Sequence, residues 1–256
     1  MSASFNSRRD FIKKTALAGI AVTQKSAIQS FASTVKDNHL NFLFQGDSIT
    51  DGNRGRNNDP NHIMGHGYAF SIASRVGAAF PEKANAFYNR GISGNKVTDL
   101  AKRWQTDTLD LKPDILSILI GVNDTDSVIR QQNIVTPEQY EEVYRSLLTQ
   151  TRTQLPDCLL VLCEPFVLPV GRVKENWNAW TADMQRRQEA VKLLSKEFNT
   201  VFIPLQKVFT DAVSLAAADY WIWDGIHPTY SGHELITKEW LKQVSRQLRF
   251  LKKLCY

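Results

Sequence analysis

The chain reads as an α/β protein in which an open parallel sheet carries helices on both faces. Three observations lead there. Five apolar runs, each too short for a helix, recur along the chain, and amphipathic stretches at helical spacing lie between them. No internal repeat, low-complexity tract or Pro/Gly-rich linker interrupts residues 40–250. Regular strand–helix alternation of this kind implies parallel strands joined by helical crossovers.

The strand candidates are Asn41–Phe44, Ala86–Tyr88, Ile115–Ile120, Leu159–Cys163 and Val201–Ile203. Their near-continuous apolar character fits strands buried on both faces. Among the helices the clearest opens at Thr136-Pro137-Glu138-Gln139, which supplies an N-cap, a proline at the first helical position and a capping-box partner. Tyr140, Tyr144, Leu147 and Leu148 then share one face. The last helix repeats the pattern with Ile236, Trp240, Leu241, Val244 and Leu248. Residues 34–256 are expected to form one domain, a length sufficient for a full core.

The formal charge is +5, which raises the question of a nucleic-acid partner. Residues 1–33 hold Arg8, Arg9, Lys13, Lys14 and Lys25 against Asp10 alone, so residues 34–256 carry only +1. No basic stripe remains, and nucleic acid is excluded as an expected partner. Ser7-Arg8-Arg9-Asp10-Phe11-Ile12-Lys13 resembles a twin-arginine export signal, with the small residues near Phe31-Ala32-Ser33 as a cleavage region. The apolar stretch Thr15 to Val22 is far shorter than the roughly 20 residues that span a bilayer, so no stable membrane anchor is expected. The expected location is periplasmic or extracellular. The three cysteines, at 158, 163 and 255, show no metal-ligand spacing, and Cys158 and Cys163 lie on opposite faces of one strand. A protein exported already folded has no need of disulfides.

In an open α/β sheet, ligands bind beyond the carboxyl ends of the strands, so the residues after each strand matter most. Gly46-Asp47-Ser48-Ile49-Thr50 follows the first strand, Asn89-Arg90-Gly91-Ile92-Ser93-Gly94-Asn95 the second and Gly121-Val122-Asn123-Asp124 the third. Trp223-Asp224-Gly225-Ile226-His227-Pro228 follows the fifth strand and a helix. Acyl transfer needs these parts. A serine hydroxyl is a weak nucleophile until a base takes its proton, and His227 can be that base for Ser48. Asp224, three residues earlier, can hold the imidazole. The backbone N–H groups of Ser48 and Gly94 and the side-chain amide of Asn123 can receive the oxyanion. No metal and no cofactor enters this scheme.

Together the four loops resemble the blocks of GDSL/SGNH hydrolases over residues 40–245. The resemblance implies a flavodoxin-like α/β/α sandwich with a five-stranded parallel sheet. By matching motif it puts Ser48 on the family nucleophile, Asp224 and His227 on its D-x-x-H pair, and Gly94 and Asn123 on its oxyanion-hole residues. No G-x-S-x-G elbow occurs, which argues against the ordinary α/β-hydrolase fold. Gly46-Asp47-Ser48-Ile49-Thr50-Asp51, Glu164-Pro165-Phe166-Val167-Leu168-Pro169 and Trp221 to Pro228 look like the carbohydrate-acetylesterase branch, especially acetylxylan esterases. That branch implies cofactor-free deacetylation of xylan-type polymers or xylo-oligosaccharides. A lipid or thioester acyl hydrolase with the same triad is the alternative. It would want an apolar channel, whereas Asn53-Arg54-Gly55-Arg56-Asn57-Asn58-Asp59 is polar. Asp47 and Asp51 are expected to shape the serine loop rather than to act as paired glycosidase carboxylates. His233 is expected to face solvent or cap the last helix. His62 and His66 are structural or touch substrate, and Trp223 is either core or a wall of the sugar pocket. The oligomeric state is open.

Overall fold

A computed structural model of the chain describes residues 39–57 and 59–255. The expected export signal, residues 1–33, lies outside the described residues. In chain order the elements are β1 (Asn41–Gly46), α1 (Ser48–Asp51), α2 (Tyr68–Ala79), β2 (Ala86–Asn89), α3 (Val97–Trp104), β3 (Ile115–Leu119), α4 (Val122–Ile129) and α5 (Pro137–Gln154). Then come β4 (Leu159–Cys163), α6 (Gly171–Lys174), α7 (Trp177–Glu197), β5 (Val201–Ile203), α8 (Leu205–Ala212), α9 (Ala218–Trp221) and α10 (Tyr230–Val244). The strands form one parallel sheet in the order β2-β1-β3-β4-β5. The α/β class and the five-stranded parallel sheet are as the sequence predicts.

Alternation along each strand divides the core in two. Phe42 and Phe44 of β1 join Tyr68, Ile72 and Val76 of α2 and Ile236, Trp240 and Val244 of α10 on one face. Leu43, Leu116, Ile118, Leu160 and Leu162 meet Leu100 and Trp104 of α3, Tyr144, Leu147 and Leu148 of α5, and Leu194 of α7 on the other. The central strands thus have helices to pack against on both faces, and their buried polar residues find partners. Ser117, buried in β3, accepts from the Trp240 indole at 3.1 Å. Cys158 and Cys163 belong to opposite cores, and burial pushes both thiols up to about 12. Thiols so far above neutrality stay protonated and inert.

The strand limits are displaced where apolarity is a poor guide. β1 runs on through Gln45 because that buried side chain is satisfied by Thr108 Oγ1 and the Asp107 carbonyl, both at 2.8 Å. The capping box of α5 forms as its sequence requires: Thr136 Oγ1 accepts from the Gln139 amide at 3.2 Å, and Gln139 Oε1 accepts from the Thr136 amide at 3.0 Å. Such a cap contributes about 1 kcal/mol. The last helix stops at Val244, and Leu248 is buried by the turn that follows.

The strand order makes β1 a switch point, since the chain passes from it first to β2 on one side and later to β3 on the other. In open sheets a crevice forms there beyond the carboxyl ends. The loops after β1, β2 and β3 border that crevice.

Candidate active site

Ser48 is the first residue of α1, immediately past β1. The turn that presents it is tight. A Cβ on Gly46 would lie 2.2 Å from Thr50 Oγ1 and 2.3 Å from the Leu119 carbonyl, so only glycine fits. Asp47 caps the turn by accepting from the Ile49 amide at 3.0 Å. Across 179 residues of sequence, Ser48 Oγ lies 2.8 Å from His227 Nε2. His227 Nδ1 lies 2.7 Å from Asp224 Oδ2, while Asp224 Oδ1 accepts from the Ile226 amide at 3.0 Å and the His227 amide at 2.7 Å. Burial alone would raise the Asp224 carboxyl, but the hydrogen bonds from the His227 ring and backbone hold it down at about 2. An ionised carboxylate only accepts, so Nδ1 carries the proton and Nε2 is left to accept from the serine hydroxyl. That is the tautomer a general base needs.

The loops after β2 and β3 converge on this relay through explicit ties. Asp51, buried at the end of α1, accepts from the Ser93 amide and hydroxyl, both at 3.0 Å, and pairs with Arg56 through bonds of 3.0 and 2.7 Å. Asn89 Nδ2 donates to the Thr50 carbonyl at 2.7 Å, and its Oδ1 accepts from the Gly91 amide at 2.9 Å. Asn123 Nδ2 donates to the Asn95 carbonyl at 3.1 Å, which leaves its other amide hydrogen free. Gly94 has φ +82° and open space where a Cβ would stand. Among the described residues, neither the Ser48 nor the Gly94 amide N–H is engaged by another group. The structure therefore brings Ser48, His227 and Asp224 into one hydrogen-bonded relay, with Gly94 on the loop after β2 and Asn123 at the start of α4, joined to each other and to the serine turn by the bonds above.

The comparisons with known proteins address the family and the fold. Residues 44–235 match the model of the GDSL-like lipase/acylhydrolase family. The chain belongs to that family. It is 32% identical to the acetylxylan esterase of Geobacillus stearothermophilus, over 79% of this chain and 92% of the relative. A solved structure from Parabacteroides merdae, assigned as a GDSL-like lipase, superposes with a TM-score of 0.77 at 40% identity, covering 81% of this chain and 96% of that one. The Geobacillus acetylxylan esterase Axe2 superposes with a TM-score of 0.72 at 30% identity, covering 81% and 94%. The chain is thus a carboxylic ester hydrolase, and the α/β fold is that of its relatives.

Several residues of this GDSL hydrolase stand differently from what the sequence suggests. His233 neither faces solvent nor caps α10 with its ring. It is buried at 9% exposure, and its Nδ1 accepts from the Tyr68 amide at 3.1 Å. Burial, with help from the nearby His66 and His227, lowers it to about 4. Tyr68 in turn shares a 2.9 Å hydrogen bond with Thr50 of the serine turn. His233, Tyr68 and Thr50 form a prop behind Ser48 that a histidine in a helical pattern does not announce. His62 is exposed and bonds Asp59 at 2.7 Å, and His66 is exposed too. Trp223 is 64% exposed, with its ring stacked 6.4 Å from that of His227, so it is rim and not core. The Glu164 to Pro169 stretch backs the relay: the Leu168 amide donates to the Gly225 carbonyl at 3.1 Å. Asp47 and Asp124, both fully buried, are raised to about 7 chiefly by desolvation. Asp124 joins α3 to α4 by accepting from the Val97 amide at 3.1 Å.

Proposed function

We propose that this hydrolase removes acetyl groups from carbohydrate esters of the acetylated xylan or xylo-oligosaccharide type through an acyl-enzyme. The observation that carries the reading is the relay of 2.8 and 2.7 Å from Ser48 through His227 to Asp224. In this mechanism His227 Nε2 takes the hydroxyl proton as Ser48 Oγ attacks the ester carbonyl. Asp224 stabilises the imidazolium, and the oxyanion collects on the Ser48 and Gly94 N–H groups and the free hydrogen of Asn123. The proton then passes to the departing sugar oxygen. Water, activated by the same histidine, hydrolyses the acetyl-serine. Similarity to acetylxylan esterases supports the choice of substrate. The exposed indole of Trp223 beside His227 supplies an apolar face of the kind on which sugar rings stack.

We further propose that residues 1–33 are a twin-arginine export signal and residues 34–256 the hydrolase domain, on the basic run and Phe-Ile-Lys sequence at 7–13. The test of function is a panel of acetate, butyrate and octanoate esters run beside acetylated xylan, with and without chelator, and labelling by a serine-directed organophosphonate. The expected result is fastest turnover of acetate, release of acetate from xylan, no effect of chelator, and label on Ser48. Faster turnover of octanoate would establish a lipid-type acyl hydrolase instead. Label on Ser93 would remove Ser48 from the mechanism.

A further inference from the structure

Beside the crevice, the loops after β1 and β2, together with the end of α3 and the turn after it, gather more cations than anions. Four guanidiniums, those of Arg54, Arg56, Arg90 and Arg103, stand among the two carboxylates of Asp51 and Asp107. Asp51 is consumed by Arg56, at 2.7 Å. Asp107 is consumed by Arg103, at 3.1 Å, and Arg103 is also held by Gln45 Oε1, Asn95 Oδ1 and the Arg90 carbonyl at 2.8–3.0 Å. The next carboxylate, Asp99, is taken by Lys102 at 2.8 Å. The four guanidiniums outnumber the two carboxylates by two, and Arg54 and Arg90 are the less closely matched. Arg54 is fastened through Nε to the Gly91 carbonyl at 3.0 Å, and neither of its terminal nitrogens has an acceptor among the described residues. Arg90 follows β2 directly; its Nε is buried with no hydrogen-bond partner and comes only to 4.0 Å from Asp107.

A surplus of this size is out of keeping with residues 34–256, which carry only +1 in all. A guanidinium fork left without an acceptor is a feature that recognition of a planar anion explains, because carboxylate matches its paired donors. Burial and the repulsion of Arg56 and Arg90 push the Arg54 guanidinium down to about 10, against the attraction of Asp51 and Asp107. The position is informative as well. Gly91, which Arg54 grips, precedes Ser93 and Gly94 of the expected oxyanion loop, so an anion held here sits on the same rim as the ester.

We propose that Arg54 and Arg90 form an anion subsite that takes a carboxylate borne by the substrate, such as a uronic acid substituent on the acetylated sugar chain. The anion-binding half stands on the arginines alone; the choice of a uronic acid rests on the carbohydrate reading above.

Two arms test the halves separately. In the first, sodium glucuronate and glucose are titrated into the full chain and into Arg90→Gln at low ionic strength, with binding followed by calorimetry. Glucuronate is expected to bind in the millimolar range and glucose not at this site, with about a five-fold loss in the variant and in added salt. Equal binding of glucuronate by both proteins, or none by either, overturns the subsite. In the second arm, kcat/KM is compared on acetylated xylan with its glucuronosyl side groups and after their removal. The wild type is expected to favour the acidic polymer about five-fold through KM, and the ratio to approach one in Arg54→Gln/Arg90→Gln. Taking a ratio cancels any general damage to the rim. A ratio of one in the wild type overturns the uronic acid assignment, and an unchanged preference in the double variant overturns the role of the arginines. Deacetylation of neither polymer defeats the carbohydrate reading, and the first arm still decides the anion subsite.

Discussion

Lowering the pH should remove a stabilising contribution that neutral His233 makes, opposed over the same range by Asp47 and Asp124, whose buried carboxyls take up protons more readily in the fold than in the unfolded chain. The ring is buried, accepts a backbone N–H at Nδ1, and is held at about 4 against an ordinary 6.5. At this site the unfolded chain therefore binds more protons than the native state between these values, and the contribution of His233 to stability falls as pH falls through that window. The full difference of about 2.5 units corresponds to roughly 3 kcal/mol, of which about 2 kcal/mol is lost between pH 7 and 5. For a chain of this length that contribution, taken alone, is worth about 4–8 °C in Tm. His233→Asn keeps an acceptor near the position of Nδ1 but cannot titrate. It should cost a pH-independent amount from lost ring packing against Tyr68 and gain about 2 kcal/mol on the wild type between pH 7 and 5. Denaturant unfolding of both proteins at pH 7, 6 and 5 gives the comparison. Parallel stability curves would refute the argument, because the protonation linkage would then lie elsewhere.

Three further outcomes concern the chemistry. Asp224→Asn should lower kcat about 10⁴-fold on an acetyl ester, since the amide permits the wrong imidazole tautomer; a loss below ten-fold would give the orienting role to another group. Asn123→Ala should lower kcat about 10²- to 10³-fold with KM little changed, and a rise in KM alone would make Asn123 a substrate-binding residue. Asp51→Asn weakens the tie to Ser93 and Arg56, so it should cost about 1–3 kcal/mol in urea unfolding and reduce kcat more than KM. Full activity at reduced stability would show that Asp51 supports the fold without setting the oxyanion loop.

The amino-acid sequence by itself locates all five strands to within two residues, because burial on both faces demands uninterrupted apolar runs. It also places the start of α5, whose cap is a contact between residues three apart. Asp224 and His227 pair for a similar reason: their bond spans three residues and needs only a local turn. Properties that depend on distant segments meeting are decided by the tertiary structure. Gln45 extends β1 because a threonine 63 residues away satisfies it. His233 turns inward because the Tyr68 amide, 165 residues away, requires an acceptor there. The same holds for the rim charge. Nothing in the order of residues says that Arg56 and Arg103 take the close contacts to Asp51 and Asp107 while Arg54 and Arg90 are left with weaker ones. Periodicity and local hydrogen bonding leave a mark on neighbouring residues, whereas desolvation and charge balance are set by whichever parts of the chain the packed sheet brings side by side.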